Sequence, residues 1–330
     1  MKNFWEKLPK PFFVPAPMAN VTDFAFREMI AKYGKPDVMW TEFVSADGLV
    51  SSGRNKLLID LKFSKKEKPI VAQLFTGHPG AMKNAARFVP GLGFDGLDIN
   101  MGCPDRAVER QGGGAAMMKT PGLALKIIEA ARDGAGALPV SVKTRLGYNK
   151  ADFGWIKLLL EQRLPALTIH LRTRKEMSVA AAHWELMPDI IKLRDEVSPE
   201  TLIIGNGDAE SLDDGFLKAK EFGCDGVMVG RGIFGKPWFF GSPQLERRCE
   251  YDKTTEGKLA IMLEHAKLFE KTFIAGKVKP LKSFDTMKKH FKAYVSGWDG
   301  AKDLRVKLMA ANNAKEVARI VKEYLSEEKS

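Results

Sequence analysis

The 330-residue sequence is poor in cysteine and lacks long apolar runs. Its three cysteines, Cys103, Cys224 and Cys249, are widely separated, which argues against a disulfide framework and against a zinc site with paired cysteines. No uninterrupted apolar stretch approaches the roughly 20 residues of a membrane span. The N-terminus also lacks an apolar run of signal-peptide length. We therefore expect reduced thiols, no metal site, no membrane partner and a cytoplasmic protein.

Acidic residues are outnumbered, since 41 Asp and Glu stand against 52 Lys and Arg, for a net charge of +11. Such an excess suits a polyanion partner such as nucleic acid, although it also fits a soluble protein with no such partner. A hydrophobic content of 45% is typical of a globular protein. A chain of this length suffices for one large domain and a smaller one.

Short apolar or β-branched runs recur along the first two thirds of the chain, with helix-length segments between them. This alternation is typical of parallel βα units. The predicted strands are Phe12–Met18, Val38–Val44, Pro69–Phe75, Gly96–Gly102, Pro139–Leu146, Ala166–Arg172, Thr201–Gly207 and Asp225–Gly230. The predicted crossover helices are Asp23–Tyr33, Pro79–Phe88, Pro121–Gly134, Asp152–Arg163, Leu186–Glu196 and Ser211–Phe222. Eight strands predict a TIM (β/α)8 barrel. The alternative, an open doubly wound sheet, lacks the G-x-G-x-x-G turn expected after its first strand.

After Phe240 the pattern changes to helical periodicity without strands, over Thr255–Ala275, Lys279–Ser296 and Ala314–Leu325. We therefore predict a barrel domain over residues 1–242 and a small all-helical domain over residues 243–330. A run of charge is usually a solvated helix face, but lysines beside aromatic side chains also suit RNA. The segment in question carries Lys279, Lys282, Lys288, Lys289, His290 and Lys292, interleaved with Phe284, Phe291 and Tyr294.

Polar residues follow the predicted strands at the ends where a barrel builds its active site. Among them, Lys143 lies where an inward-facing residue is expected, and an ammonium group buried without an anion costs several kcal/mol. We therefore expect an anion to meet Lys143. The strand-end residues are Gln73 on strand three, Asn100 and Cys103 on strand four, Lys143 and Arg145 on strand five, and His170 and Arg172 on strand six.

The last two strands are followed by Asn206-Gly207-Asp208 and by Gly230-Arg231-Gly232. Glycine-flanked amides and a guanidinium at this end of a barrel suit a phosphate group. Together with Lys143, Gln73 and the segment Pro17-Met18-Ala19, they form a site suited to a phosphorylated flat heterocycle. Flavin mononucleotide (FMN) is the natural candidate, because Gln73 can donate and accept on the amide edge of the flavin and Lys143 would favour the anionic reduced ring.

Cys103 is joined to three consecutive glycines, Gly112 to Gly114, by a polar connector. A free cysteine is more often an inert buried residue than a catalyst. Here, however, the glycines permit close backbone approaches, and Arg106, Arg110 and Lys119 make the surroundings positive. A flexible basic surface loop is the alternative interpretation.

These residues resemble the tRNA-dihydrouridine synthase family, a group of FMN enzymes in which a barrel is followed by a helical RNA-binding domain. The matching motifs occur in the same order along nearly the whole chain: PAPMANVTDFAFR, TEFVSADGL, VAQLF, DINMGCP with GGGAAMMKTP, VSVKTRLGY, IHLRTR, GNGD, VMVGRGIFGKPW and MKKHFKAY. The resemblance implies that Cys103 is the catalytic residue, and we expect Asn100, Arg145 and Arg172 to contact the substrate. It implies that FMN is bound by Pro17, Met18, Ala19, Gln73, Lys143, His170, Asn206, Gly207, Asp208, Gly230 and Arg231.

The resemblance also implies a reaction. NADPH reduces the flavin, a uridine is extruded from tRNA, hydride passes to carbon 6 of the uracil, and Cys103 protonates carbon 5. A general acid must carry its proton when it acts, so the pKa of Cys103 should not be strongly depressed. A target base inside folded RNA accounts for a basic surface and a second domain. We expect a monomer, because one chain carries both parts.

Two other functions stay open. A small-molecule FMN oxidoreductase of the ene-reductase or dihydroorotate type would not need the basic helical tail, and a non-catalytic RNA-binding protein would not need Cys103 or Lys143. The sequence also departs from the family pattern at Asn20, where glycine is usual, at Leu171, which replaces the glycine of HGRTR, and over Ser178–His183. The last change affects the loop after strand six, where substrate passes, so we assign no position in the tRNA.

Overall fold

The computed structural model describes residues 3–241 and 254–327 and contains a sheet of eight parallel strands. The strands are β1 (Phe12–Pro15), β2 (Met39–Ser45), β3 (Ile70–Phe75), β4 (Gly96–Asn100), β5 (Val140–Arg145), β6 (Ala166–His170), β7 (Leu202–Asn206) and β8 (Gly226–Val229). Their order in the sheet is β1-β8-β7-β6-β5-β4-β3-β2. All eight predicted strands are confirmed in position.

The two ends of this strand order meet beside Asp37. The backbone N–H of Asp37 donates to the carbonyl of Phe13 at 3.0 Å, and the backbone N–H of Phe13 donates to Asp37 Oδ2 at 2.7 Å. Side chains from both ends of the order also share one buried cluster, so the sheet curls round a common core and the predicted TIM-barrel architecture is confirmed. Members of that cluster include Val14, Trp40, Val71, Ile204 and Met228.

Helices follow most of the strands, and local sequence determines several of their ends. The Asp152 side chain accepts from the Trp155 backbone at 3.0 Å at the start of the helix Phe153–Leu160, and the helix Leu212–Phe222 ends at Gly223 with φ 76°. No helix in the described ranges is both long and apolar enough to cross a bilayer. The helices are α1 (Phe24–Tyr33), α2 (Ala46–Leu49), α3 (Arg54–Leu57), α4 (Pro79–Ala86), α5 (Phe88–Gly91), α6 (Arg106–Arg110), α7 (Pro121–Ala135), α8 (Phe153–Leu160), α9 (Met187–Val197), α10 (Leu212–Phe222), α11 (Thr255–Phe273), α12 (Thr286–Tyr294), α13 (Ala301–Met309) and α14 (Ala314–Glu327).

The chain divides into two compact units. The first comprises residues 1–18 and 36–230 and holds the sheet, and the second comprises residues 19–35 and 231–330. Within the second unit α1 packs on α11, since Lys32 Nζ donates to Glu264 Oε1 at 2.6 Å and the Phe26 ring stacks on His265. The sequence did not predict this association of α1. The boundary predicted between residues 242 and 243 lies outside the described residues.

The helix predicted over Lys279–Ser296 is shorter, because α12 begins only at Thr286. Pro280 has no backbone N–H to donate within a helix. The segment before α12 is instead bonded to the end of α11, because the backbone N–H of Leu281 donates to the carbonyl of Phe273 at 2.8 Å.

The aromatic residues interleaved with the lysines of this segment are core residues. Phe284, Phe291 and Tyr294 are each buried, and His290 is buried with them. Their interpretation as RNA-facing residues is therefore wrong, because helical periodicity turns these side chains inward while neighbouring lysines remain outside. Lys279, Lys289 and Lys292 are exposed.

Candidate active site

Polar side chains predicted from the sequence meet at the C-terminal ends of neighbouring strands. In the strand register Asn100 lies opposite Lys143, and His170 lies opposite Asn206. Because β4 to β7 pair in order, these residues share one end of the barrel, which is the end where barrel enzymes build their active sites.

A chain of hydrogen bonds runs through the barrel interior at this end. Asp98 accepts from Gln73 Nε2 at 2.6 Å and from Ser141 Oγ at 2.6 Å, and Gln73 Oε1 accepts from Asn100 Nδ2 at 3.0 Å. Burial raises the pKa of Asp98 from an ordinary 3.8 to about 6, although the bonds from Gln73 and Ser141 favour the charged form. At neutral pH the interior therefore holds a carboxylate.

Cys103 lies in a turn that is held by Asn100, the last residue of this chain of hydrogen bonds. Asn100 Oδ1 accepts from the backbone N–H of Gly102 at 3.1 Å and from that of Cys103 at 2.9 Å. The Cys103 carbonyl in turn accepts from the backbone of Ala115 at 2.9 Å. Gly114, with φ 59°, lies so close that an added Cβ would be 2.5 Å from that carbonyl, which explains the glycine.

The thiol of Cys103 keeps its proton at neutral pH. Burial raises its pKa above the ordinary value of 9.0, and the positive charges of Arg145 and Lys143 oppose this only in part. A protonated thiol is the form that a general acid requires.

Lys143 points into the barrel, as predicted, and its Nζ donates to Asn206 Oδ1 at 3.1 Å. Burial, with help from Arg145, lowers the pKa of Lys143 from 10.5 to about 8, whereas Asp98 favours its charged form through space. In the part of the chain that the structure describes, no carboxylate lies within ion-pair distance of this ammonium group. An anionic ligand would therefore find an unmatched cation here.

Arg172 contacts His170, Ala180 and Asp208 at the end of β6. Its Nη1 lies 3.1 Å from His170 Nε2, its Nε donates to the Ala180 carbonyl at 2.6 Å, and its Nη2 donates to Asp208. A guanidinium group has donors and no acceptor. His170 therefore accepts this bond at Nε2.

Arg145 ties the cysteine turn to the loop after β6. Its Nε donates to the Gly102 carbonyl at 2.8 Å, and its Nη1 donates to the carbonyls of Thr173 at 3.1 Å and Met177 at 2.7 Å. Burial lowers its pKa from 12.5 to about 10. The described bonds of Arg145 thus go to backbone atoms, and its contact with substrate stays a prediction, as does that of Arg172.

The loop after β6 is also held by His183. Its Nε2 lies 2.9 Å from Glu176 Oε1 and its Nδ1 lies 2.8 Å from Glu185 Oε1. The Glu176 and Glu185 carboxylates raise the pKa of His183, so the imidazolium form bridges them. Glu176 also accepts from the backbone of Thr173 at 2.7 Å.

One of the predicted phosphate residues at the end of β7 must be glycine because of the local packing. Gly207 has φ 135°, and a Cβ added there would lie 2.7 Å from the Cβ of Ala182. The Asp208 side chain is engaged by Arg172 and by the backbone N–H of Ala182 at 2.9 Å. Its predicted phosphate contact would therefore use the main chain, because a carboxylate repels a phosphate.

Of the other predicted cofactor residues, Met18 and Gly230 lie in the first unit. A Cβ added to Gly230 would lie 3.9 Å from Met18 Sδ, so the chain segments after β8 and β1 are neighbours. Ala19 and Arg231 belong to the second unit. The cofactor contacts of these residues and of Pro17 stay predictions.

Two of the departures from the family pattern have a local explanation. Asn20 has φ 55°, a left-handed conformation that glycine adopts freely and asparagine tolerates. Leu171 is fully buried, and its backbone donates to the Asn206 carbonyl at 2.9 Å without a positive φ. Neither replacement disturbs the backbone at the strand ends.

Sequence reasoning did not predict the hydrogen bonds that Asp98, Ser141, Glu176 and His183 make beside the site. For Asp98 a signal was present, since it precedes Asn100 by two residues and so shares its face of the strand. For Glu176 and His183 no local pattern indicates that the loop folds back to pair them.

Comparisons with known proteins agree with this geometry. The family described as Dihydrouridine synthase (Dus) matches residues 14–329. The chain is 39% identical over 326 residues to a "Probable tRNA-dihydrouridine synthase" of Staphylococcus aureus (strain MRSA252), covering 98% of this chain and 96% of the relative. It is 40% identical over 326 residues to the "Probable tRNA-dihydrouridine synthase 2" of Bacillus subtilis (strain 168), covering 98% and 97%.

Among solved structures, morphinone reductase shares the fold, with a TM-score of 0.53, 11% sequence identity, and coverage of 76% of this chain and 90% of that one. The family match confirms the resemblance inferred from the sequence motifs. The chain belongs to the dihydrouridine synthase family of flavin-dependent oxidoreductases.

Proposed function

We propose that this protein reduces specific uridines of tRNA to 5,6-dihydrouridine, with FMN as bound cofactor, NADPH as reductant and Cys103 as the proton donor to carbon 5. The observation that carries the proposal is the Cys103 turn, in which a protonated thiol is held by Asn100 beside the polar strand ends. The names of the relatives, which include tRNA-dihydrouridine synthases of two bacteria, support it.

The residues at the strand ends fit FMN. The Lys143 ammonium group lacks a carboxylate within ion-pair distance among the described residues and suits an electron-rich edge of the flavin ring. Asn206, Gly207 and Gly230 would surround the phosphate. The predicted contact of Gln73 with the amide edge of the ring is not part of this proposal, because Gln73 is fully buried and its amide is bonded to Asp98 and Asn100. When bound, FMN supplies the hydride for carbon 6 of the uracil.

The side chain of Asn100 favours uracil over cytosine. Its Oδ1 already accepts two backbone N–H groups, and one hydrogen of its Nδ2 is donated to Gln73. The amide can therefore offer a ligand only its second Nδ2 hydrogen. At carbon 4 a uracil ring presents a carbonyl oxygen to such a donor, whereas cytosine has an amino group there, which would meet it donor to donor.

Cys103 is suited to the proton transfer. Its raised pKa keeps the thiol protonated at neutral pH, and its backbone is fixed on both sides, by Asn100 and by Ala115. Fixed placement of an acid beside the reacting carbon reduces the entropy lost on reaching the transition state. Protonation of carbon 5 by this thiol completes the reduction.

The substrate would be held by the exposed lysines of the second unit, among them Lys279, Lys289 and Lys292. A target base in folded RNA must leave its stack to reach a site at the strand ends. We expect the enzyme to act as a monomer in the cytoplasm, where its tRNA substrate is found.

The test is mass spectrometry of tRNA that lacks dihydrouridine, after incubation with the purified protein and NADPH. A two-dalton gain on a mapped uridine is expected for the wild-type protein. Cys103→Ala should retain flavin absorbance and lose about 10²–10⁴-fold in rate, the range expected for loss of a general acid.

Cys224→Ala is the matched control. Cys224 is buried just before β8, at the opposite end of the strand from the site, and its Sγ lies 3.3 Å from the Gly226 carbonyl. This variant should form dihydrouridine at the wild-type rate. No gain on any tRNA from a flavin-loaded protein would contradict the proposal, and reduction of a small enone instead would favour a small-molecule oxidoreductase.

A further inference from the structure

The hydrogen bonds between Asp98 and Cys103 form a chain with only one possible direction. Backbone N–H groups can only donate, so Asn100 must turn its Oδ1 toward Gly102 and Cys103. The Nδ2 of Asn100 then faces Gln73, which must accept this hydrogen bond at Oε1. Gln73 is left to donate through Nε2, and the group that receives this bond must be an acceptor.

Asp98 is that acceptor. Its Oδ2 receives the bond from Gln73 at 2.6 Å, while its Oδ1 is held by Ser141 Oγ at 2.6 Å. Gln73 and Asp98 are fully buried and Asn100 is 6% exposed, so water offers no ready alternative partner. If Asp98 offered no acceptor, Gln73 would have an unsatisfied buried N–H in its present orientation.

We propose that Asp98 is a positioning residue, whose carboxylate fixes the orientation of the Gln73 and Asn100 side-chain amides and thereby the turn that carries Cys103. The amide groups of glutamine and asparagine can each be turned over with little change of shape. With the acceptor at one end and two backbone donors at the other, a single orientation satisfies every bond in the chain.

The consequence reaches the reaction itself, and this part of the inference rests on the proposed function. The Gln73 orientation fixes that of Asn100, and the Asn100 orientation decides that a donor, the second hydrogen of its Nδ2, faces the base. The Cys103 thiol lies next to the last bond of the chain. A misplacement of the order of 1 Å at such a group costs up to about 100-fold in rate.

Two substitutions of Asp98 separate positioning from simple packing. Asp98→Asn keeps an oxygen for Gln73 and can donate through Nδ2 to Ser141, so the direction of the chain survives. Asp98→Leu has similar bulk but no acceptor, so the Nε2 of Gln73 loses the hydrogen bond that fixes the orientation of its amide. Ser141→Ala is the matched control, because it removes a buried hydrogen bond from the same carboxylate but leaves the chain intact.

The first readout is the alkylation of Cys103 by iodoacetamide in the flavin-loaded protein, followed on the peptide that contains Cys103. It requires no RNA, so it tests the proposal even where tRNA reduction fails. Asp98→Leu should change the alkylation rate at least about 5-fold, because the turn loses its fixed position. Asp98→Asn and Ser141→Ala should stay within about 2-fold of the wild-type protein, since the chain to Cys103 is kept.

The second readout is dihydrouridine formation. Asp98→Leu should lower kcat at least about 30-fold with little change in KM for tRNA, and Asp98→Asn should recover most of this loss. Equal alkylation rates and equal kcat for the Leu and Asn variants would overturn the proposal. Absence of tRNA reduction in the wild-type protein, with the expected alkylation pattern, would instead count against the proposed function alone.

A second pair of variants covers the case in which Asp98→Leu fails to fold. Gln73→Met keeps the bulk of the side chain but gives Asn100 no acceptor and Asp98 no donor, so it should change the alkylation rate of Cys103 at least about 5-fold. Gln73→Glu is its control. Two adjoining buried carboxyl groups share one proton, so the new side chain can donate to Asp98 and accept from Asn100, and the alkylation rate should stay within about 2-fold of the wild-type value. Equal alkylation rates for the Met and Glu variants would overturn the proposal.

Discussion

The strand ends of the barrel and the core of the helical unit both bury polar side chains, but with opposite outcomes. At the strand ends Asp98, Gln73 and Asn100 each have hydrogen-bond partners that fix their direction. In the helical unit His265 and His290 are fully buried. Among the described residues, neither ring nitrogen of His290 and not the Nε2 of His265 has a hydrogen-bond partner.

The two histidines are packed as aromatic rings. The His290 ring lies 4.6 Å from the centroids of both Phe26 and His265. Burial lowers the pKa of His265 well below 6.5 and, with the charge of Lys289, lowers that of His290 to about 3. Both imidazoles are therefore neutral at physiological pH and serve the packing of the unit.

The comparison shows how a buried polar side chain that takes part in a reaction differs from one that only packs. A polar group kept for a reaction has partners that fix its direction, and its charge matters to a ligand, as for Lys143. A polar group kept for packing has a suppressed charge and leaves ring nitrogens without a hydrogen-bond partner among the described residues, as His290 does. Substitution should thus damage ligand binding or catalysis in the first region and leave them intact in the second.

The largest effect is expected for Lys143→Met. Loss of the cation should weaken FMN binding at least about 100-fold, since an anionic ligand would lose its partner. The flavin-free protein should nevertheless become more stable at pH 7. The folded state disfavours the charged amine, which lowers the free energy of unfolding of the wild-type protein at pH 7. The fall in the pKa of Lys143 from 10.5 to about 8 corresponds to a loss of roughly 3 kcal/mol.

Flavin fluorescence titration and thermal unfolding of the flavin-free protein measure these two effects. Lys157→Met, on the exposed side of α8, is the control and should change neither. Unaltered flavin affinity in Lys143→Met would remove Lys143 from the site and end the contrast between the two regions.

Asp98→Asn should also stabilise the protein at pH 7, by up to roughly 3 kcal/mol, because the pKa of Asp98 is raised from 3.8 to about 6. The folded state binds this proton more tightly than the unfolded state, so wild-type stability falls as pH rises from 3.8 to about 6. The advantage of the variant should shrink to about 1 kcal/mol at pH 4.5. Urea denaturation at pH 7 and pH 4.5 measures the difference in free energy of unfolding between the variant and the wild-type protein. An equal difference at both pH values would show that Asp98 is not charged in the folded protein at pH 7.

His290→Phe should make the protein less sensitive to acid. The folded state resists protonation of His290 down to a pKa of about 3, so its contribution to stability is complete above pH 6.5 and is lost as the pH falls. At pH 5 this loss amounts to about 2 kcal/mol in the wild-type protein, and phenylalanine should remove it. Hydrogen exchange of α12 between pH 7 and pH 5 would show it, with His78→Phe, an exposed histidine, as control.

The barrel could be predicted because each strand has a recognisable local sequence pattern. Apolar runs such as Val140–Arg145 are bounded by proline or glycine, and eight of them in alternation with helices leave few architectures. The association of α1 with α11 could not be predicted, because the apolar face of a helix does not specify its partner. The same limit explains the aromatic residues of α12, whose periodicity fits either a core or an RNA-facing surface.

The site could be predicted as far as residue type at a strand end suffices. Lys143 and Cys103 are conspicuous there because few other roles explain a lysine in an apolar strand or a cysteine between glycine and proline. The bonds of Arg145 and Arg172 could not be predicted, because they depend on the path of the loop after β6. An arginine at a strand end looks the same in sequence whether it binds substrate or backbone carbonyls.

The smallest effect is expected at His183, a partly exposed group between the two extremes. Its imidazolium bridges Glu176 and Glu185, and its pKa is raised, so the bridge is complete below pH 6.5 and is lost as the pH rises through the raised value. Cleavage by trypsin after the exposed Lys175 should therefore become about 2- to 3-fold faster between pH 6 and pH 9, after correction for the pH dependence of the protease, a modest change because solvent screens the pair. In His183→Gln the corrected rate should not depend on pH, and Glu185→Gln should give an intermediate response. A wild-type loop whose corrected cleavage is constant over this range would show that the backbone bonds from Arg145 and Arg172 hold it without the ion pair.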